Sequence, residues 1–152
     1  MADLKKRIYD ILKTTRVMQL ATTSDNKPWV CNVHFYADEN FNIYWISTPT
    51  RRHSLDIEKN PHVAITIKVH EDKPDEQYVI GLSAEGTAER IVDQEVKNVI
   101  NHYQEKLGKD KKLMSDILTG KNPHRFYRLK PTSFVLFDSK NFPENPRQEY
   151  KV

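Results

Sequence analysis

Cysteine, glycine and long hydrophobic runs are all scarce in this chain, and each shortage excludes something. The one cysteine, Cys31, rules out an internal disulfide and any cysteine-rich zinc site, and it suits a reducing cytoplasm. With four glycines only, Gly81, Gly86, Gly108 and Gly120, neither a G-x-G-x-x-G fingerprint nor a P-loop can be written. Apolar runs such as residues 63–67 and 134–137 fall far short of the roughly 18 residues needed to cross a membrane. The charged start Met-Ala-Asp-Leu-Lys-Lys-Arg leads into no apolar signal core, so no membrane partner is expected. Charge of one sign is lacking too. Lys and Arg number 24 against 21 Asp and Glu, and a net +3 is too small a bias to point to nucleic acid, despite a pI ≈ 8.9. The six histidines show no H-E-x-x-H or other paired ligand spacing, so no metal centre is predicted. Residues Gly81 to Gly86 miss a nucleophile elbow by one residue and lie in a strand pattern. Ser47, His53 and Asp56 can be drawn as a triad, but their spacing does not support one.

What the chain does contain is aromatic residues at 10% within a strongly polar composition, with mean hydropathy −0.74. That mixture marks a globular rather than a disordered protein. A length of 152 residues predicts one domain over 1–152, with an N-terminal helix in 1–14 and a polar C-terminal tail in 140–152. Leu4, Ile8, Ile11 and Leu12 have the spacing of an amphipathic helix, with Asp3 as N-cap. Val17–Thr23, Trp29–Ala37 and Ile43–Ser47 read as three strands of an antiparallel meander, separated by turn residues 25–28 and 38–40. A short helix fits Arg51–Asn60, and strands follow at Val63–Val69 and Tyr78–Ile91. Val96, Val99, Ile100, Tyr103 and Leu107 share one helical face closed by Gly108, and residues 113–118 suggest another short helix ending at Gly120. Phe126–Leu129 and Ser133–Phe137 read as two strands broken by Pro131. About seven strands without βαβ alternation predict a mainly β fold with flanking helices, an antiparallel barrel.

One segment carries chemical information. In residues 44–65 a strand ends at Ser47-Thr48, Pro49 follows, and Arg51-Arg52-His53 fall at the start of the next helix. A helix N-terminus carries about +0.5 charge, so exposed cations there cost roughly 0.3–1 kcal/mol each. Hydroxyls, free N–H groups and arginines converging on that end make sense if an anion such as a phosphate is to be held. The alternative is that both arginines are solvated and Thr50 merely caps the helix. In the strand from Trp29 to Tyr36, one face carries Trp29, Cys31, Val33 and Phe35, and the other carries Asn32, His34 and Tyr36. That half-polar second face predicts either a ligand or subunit contact or an ordinary solvent-facing side.

Taken in order, the hairpin MQLATTSDNKPWVCNVHFYAD, the strand end IST, the RRH helix closing into VAITI, and the strand IGLSAEGTAERI resemble the FMN-binding split-barrel superfamily. These are the relatives of pyridoxamine 5′-phosphate oxidase, and the likeness is nearest to the small oxidase-related and general-stress flavoproteins. The resemblance is firm from about residue 17 to 91. It implies a split β-barrel of Greek-key type. It also implies FMN as cofactor (or, alternatively, deazaflavin or haem) in the groove of a homodimer, with a small-molecule substrate. The cofactor-binding positions it implies are Ile46, Ser47, Thr48, Arg51, Arg52 and His53 for the phosphate. For the ring it implies Cys31, Asn32, Val33 and Tyr36, with Gly81 and Ser83 matching positions that approach the flavin in some relatives. Phe142, Arg147 or Tyr150 of a partner's tail is a further expected neighbour of the flavin, and Trp45, Tyr127 and Phe142 are expected to gain cover in a dimer. Several family features are absent. Tyr36 stands where the vitamin-forming oxidase uses a substrate-binding lysine. Val99 and Tyr103 replace its substrate-binding Tyr and Arg, and the tail lacks its Trp and Arg signature. The resemblance therefore implies a flavin-dependent oxidoreductase that does not oxidise pyridoxamine phosphate, or a non-catalytic flavin-, deazaflavin- or haem-binding or sensor protein. No catalytic acid or base can be named.

Overall fold

A computed structural model describes residues 3–152; Met1 and Ala2, the start of the predicted N-terminal segment, lie outside the described residues. The elements are α1 (Leu4–Thr14), β1 (Val17–Ser24), β2 (Lys27–His34), β3 (Tyr36–Ala37), β4 (Ile43–Ser47), α2 (Arg52–Lys59), β5 (His62–Lys68), β6 (Ile80–Arg90), α3 (Gln94–Leu107), α4 (Lys111–Leu118), β7 (Arg125–Asp138) and β8 (Arg147–Lys151). Asp3 caps α1 as its spacing predicts, its carboxylate accepting from the Lys6 N–H. Asp25 and Asn26 both take positive φ and form a two-residue hairpin turn, so the strand resumes at Lys27, two residues earlier than the turn residues predict.

The sheet runs β2-β1-β5-β6-β7-β4-β3, all antiparallel, with β8 added to β7. Its two ends, β2 and β3, are one run of chain interrupted only at Phe35, whose N–H donates to the Arg16 carbonyl. At this point the strand leaves β1 and joins β4, so the sheet closes on itself. Along the rest of their length β2 and β4 diverge and leave the barrel split. The order β5-β1-β2/β3-β4 is a Greek key, because β5 returns across α2 to lie beside β1. The split-barrel class and its flanking helices are therefore as the sequence implies.

Inside the barrel, alternate residues of each strand meet: Met18 and Leu20, Ile43 and Trp45, Val63, Ile65 and Ile67, Leu82, Leu129, Phe134 and Leu136, with α1 plugging one end through Ile8, Ile11 and Leu12. A second core lies outside, where α3 and α4 cover Tyr44 and Phe126. All five residues of the predicted α3 stripe are buried there. Three sequence expectations are corrected. Pro131 does not break β7. It sits between the stretch paired with β4 and the stretch paired with β8, opposite Gly86 where the register shifts by one residue, and a bulge tolerates its missing N–H. The tail is not a free polar segment, since residues 147–151 form β8 and Tyr150 packs edge-on against Phe41. Trp45 and Tyr127 need no partner subunit, because both are core residues stacked on each other at 5.9 Å. Phe142 likewise packs against its own barrel.

Candidate functional site

The split is bridged by one side chain. Nearly buried at the start of α2, the His53 ring places Nε2 2.7 Å from Ser47 Oγ on β4 and Nδ1 3.4 Å from Cys31 Sγ on β2. A neutral imidazole carrying its proton on Nε2 satisfies the whole chain of groups: the thiol donates to Nδ1, Nε2–H donates to Ser47, and Ser47 donates to the Thr48 carbonyl at 3.4 Å. Burial, then the Arg51 charge, holds His53 below the usual histidine range against an opposing pull from Asp56, while burial pushes the Cys31 thiol up. Both shifts favour the neutral pair over thiolate and imidazolium, so the arrangement clasps two strands and does not arm a nucleophile. No triad forms, because Asp56 accepts from the buried Thr22 hydroxyl at 2.8 Å rather than from His53.

Around this clasp, the end of α2 is built for negative charge. Its N-cap is Arg51, in extended conformation, with no side-chain cap, and its first turn holds no acidic residue. The orphan N–H groups of that turn therefore have no partner from a capping side chain. Thr50 is not the cap; its hydroxyl lies 3.3 Å from that of Thr48 beside the same end. Arg51 and Arg52 are both exposed. The Arg52 guanidinium lies 4.5 Å from the centroid of the Trp29 ring, and its Nε is 3.9 Å from the Asp56 carboxylate. An uncapped helix end with two exposed arginines and two threonine hydroxyls is a donor set that fits a phosphate.

The ten residues singled out from the sequence fall in three places. Thr48, Arg51 and Arg52 lie on the exposed α2 end, and Cys31, Ser47 and His53 lie in the clasp beneath it. The other four are dispersed. Val33 faces the same side of β2 as Cys31, and Asn32 faces the opposite side, accepting from Gln19 at 2.7 Å. Ile46 meets Tyr103 of α3 through its backbone. Tyr36 is removed from α2 and stacks with His102 of α3. His34 receives a 2.9 Å hydrogen bond from Lys109, so most of the half-polar face is engaged within the chain. Trp29, Thr22 and Asp56 were not singled out as binding residues. Asp56 stands one helical turn from Arg52, a spacing visible in the sequence, whereas Trp29 reaches Arg52 and Thr22 reaches Asp56 only because β1 and β2 pack beside α2.

The outer face of β1, β2, β5, β6 and β7 is uncovered. Across the strands run Val30, Ala21, Ala64, Glu85 and Ser133 in register, and a cleft of about 450 Å³ lies over them. Val30 is 60% exposed, and Val17 and Phe137 on the same face are also exposed. Gly81 and Ser83 lie along this face, and a Cβ at Gly81 would meet nothing within 4 Å.

Comparison with known proteins agrees with this architecture. The heme binding protein of Mycobacterium smegmatis superposes with a TM-score of 0.80 at 15% identity, over 99% of this chain and 59% of that one. General Stress Protein 26 of Bacillus anthracis gives 0.70 at 19% identity over 98% of both chains. A FAD-binding protein of Mesorhizobium loti gives 0.66 at 19% identity, over 85% of this chain and 88% of that one. At these identities the likeness establishes the fold alone. No curated protein sequence matches the chain. The family model described as pyridoxamine 5′-phosphate oxidase matches residues 4–136, almost the whole barrel and its helices, and the chain therefore belongs to the pyridoxamine 5′-phosphate oxidase family.

Proposed function

We propose that the protein binds FMN by its phosphate at the α2 end and works in the cytoplasm as a homodimeric flavin-dependent oxidoreductase on a small molecule. The observation that carries this reading is the uncapped, acid-free first turn of α2, with Arg51 and Arg52 exposed beside Thr48 and Thr50. Bound there, the flavin would supply the hydride chemistry. This chain's part is to hold and orient it. Arg52, aimed by Trp29 and Asp56, grips phosphate oxygens as a planar fork, and the first-turn N–H groups add donors at the positive helix end. His53 keeps β2 and β4 a fixed distance apart beneath the ligand. The open face of β1, β2, β5 and β6 is where a second copy would pack, which would exclude water from the groove between subunits. Tyr36, Val99 and Tyr103 stand in for the family's substrate-binding Lys, Tyr and Arg, and Val99 and Tyr103 are buried, which supports a substrate other than pyridoxamine phosphate.

The test is an absorption spectrum of the purified protein after incubation with FMN and gel filtration. Flavin bands that co-elute are the expected result. A spectrum that stays blank overturns the FMN reading. The second reading is a non-catalytic binder of flavin, deazaflavin or haem on the same fold, for which the mycobacterial haem-binding neighbour is the support. Steady oxidation of reduced nicotinamide by the FMN-loaded protein would decide against it.

A further inference from the structure

Another cleft, of about 400 Å³, opens where β6 ends and β7 begins, between the start of α3 and the end of α4. It shares no residue with α2, with the clasp or with the cleft over the sheet face. Its floor is apolar, made by the buried side chains of Ile91, Val96, Ile117 and Phe126. On its rim Val92 and Leu118 keep apolar surface in water, at 51% and 43% exposure. Three cations, Arg90, Lys97 and Arg125, stand around that floor against a single acid, Asp93. The neighbouring carboxylates of β6 and α3, Glu89 and Glu95, are both taken by Arg128. Arg90, Lys97 and Arg125 enter no ion pair among the described residues. Arg125 is half-buried, and its guanidinium is held from one side. Its Nη1 donates to the Asn122 and His124 carbonyls, each at 2.8 Å, while Nη2 and Nε have no partner among the described residues. Those two nitrogens form the guanidinium edge that matches the two oxygens of a carboxylate.

We propose that this cleft binds a small apolar carboxylic acid, its hydrocarbon body on the floor and its carboxylate on the open edge of Arg125. The volume of about 400 Å³ lies within the roughly 300–1,000 Å³ of small-ligand sites. Two features set the ligand class. The floor carries no polar side chain, so the hydroxyls of a sugar or polyol would lose water there and gain no partner. The three cations face one acid and repel one another, and a single carboxylate among them turns that cost into attraction. A bare inorganic anion would leave Val92 and Leu118 uncovered, and a neutral apolar molecule would leave the Arg125 edge without an acceptor. Arg90 and Lys97, both exposed, add screened attraction at the rim rather than a fixed contact. The site is independent of the flavin reading.

The experiment titrates the isotopically labelled full-length protein with octanoate and follows its backbone amide shifts. Saturable shifts centred on residues 91–97 and 117–126 are expected, with a Kd of about 1 mM or below, the scale open to a ligand of that size. Each methylene added between hexanoate and octanoate should tighten binding by up to about fourfold, the value of one fully buried CH₂. Octanol, with the same chain and no charge, should bind at least roughly tenfold more weakly, for want of the charged hydrogen bonds. Arg125→Gln should weaken octanoate by a similar factor and leave octanol unchanged. Because that substitution also removes the donor to the Asn122 and His124 carbonyls, Lys97→Glu is measured beside it. Lys97 is exposed, and an acid near the positive end of α3 favours the helix, so this variant keeps the fold while reversing a charge at the rim. It should bind octanoate severalfold more weakly, a difference that added salt reduces. Three results overturn the proposal: octanoate shifts that fail to saturate or that centre on the sheet face around Val30, octanol binding as tightly as octanoate, and native octanoate affinity in both variants.

Discussion

At the scale of single residues, His53 does two things that its place in the sequence does not separate: it follows two arginines at a helix start, and it ties β2 to β4. Its burial makes the second measurable. An unfolded histidine titrates near 6.5, and folded His53 titrates below that. The neutral ring therefore contributes its full stabilisation above pH about 6.5, and that contribution is withdrawn as pH falls from there through the folded value. Urea midpoints for the native protein should drop between pH 7 and pH 5, and His53→Gln should flatten the part of that drop due to this ring. His34, also held low by burial and then by Lys109 and Arg16, keeps its share in both proteins. Thr22→Val should cost about 1–3 kcal/mol in chemical denaturation, because it leaves the buried Asp56 carboxylate without the hydroxyl it accepts from. Arg52→Ala should weaken FMN binding by about 1.5–3 kcal/mol, the value of a charged hydrogen bond, as read by flavin fluorescence titration. The arginines were legible because cations at a helix N-terminus violate a local electrostatic rule. The contacts of Cys31, Trp29 and Thr22 with α2 were not, since each joins residues that only strand pairing brings together.

Among the elements, α3 was the most readable, because a 3.6-residue apolar period over 14 residues has one interpretation. The paired strands β6 and β7 were harder. Sequence rules treat Pro131 as a break, yet the chain absorbs it where β7 changes neighbours from β4 to β8. Gly86 is the other half of that device. A Cβ there would lie 2.1 Å from the Lys130 carbonyl oxygen and 2.8 Å from Pro131 Cα, both backbone atoms that cannot swing aside. Gly86→Ala should therefore destabilise the protein at or above the upper end of the ~1–3 kcal/mol typical of overpacking, seen as a lowered thermal midpoint. Strand β8 escaped notice because its sequence, Arg-Gln-Glu-Tyr-Lys, is polar and its register is imposed by the edge of β7.

For the whole molecule, the barrel class was legible from strand count and the absence of βαβ alternation, whereas the uncovered sheet face was not. Its small and apolar residues read along each strand as ordinary outward positions. Only when Val30, Ala21 and Ala64 are set side by side do they form a surface. If a second copy covers that surface, light scattering should give twice the chain mass, and Val30→Asp should give the monomer mass with an unchanged circular dichroism spectrum. Val30 is already 60% exposed, so the substitution should leave the fold of each copy intact.

The junction at Phe35 sets a timetable for the chain as it leaves the ribosome. The β1–β2 and β3–β4 pairings join near neighbours in sequence and can form as soon as residue 47 is clear. The seam that turns this curled ribbon into a barrel joins Ile43 to Leu129, and loop-closure entropy opposes such a contact until both ends exist. A growing chain therefore carries an open, half-formed apolar interior until β7 has been made. The strand that shuts it is β7, and the polar β8 only extends the sheet from β7's edge.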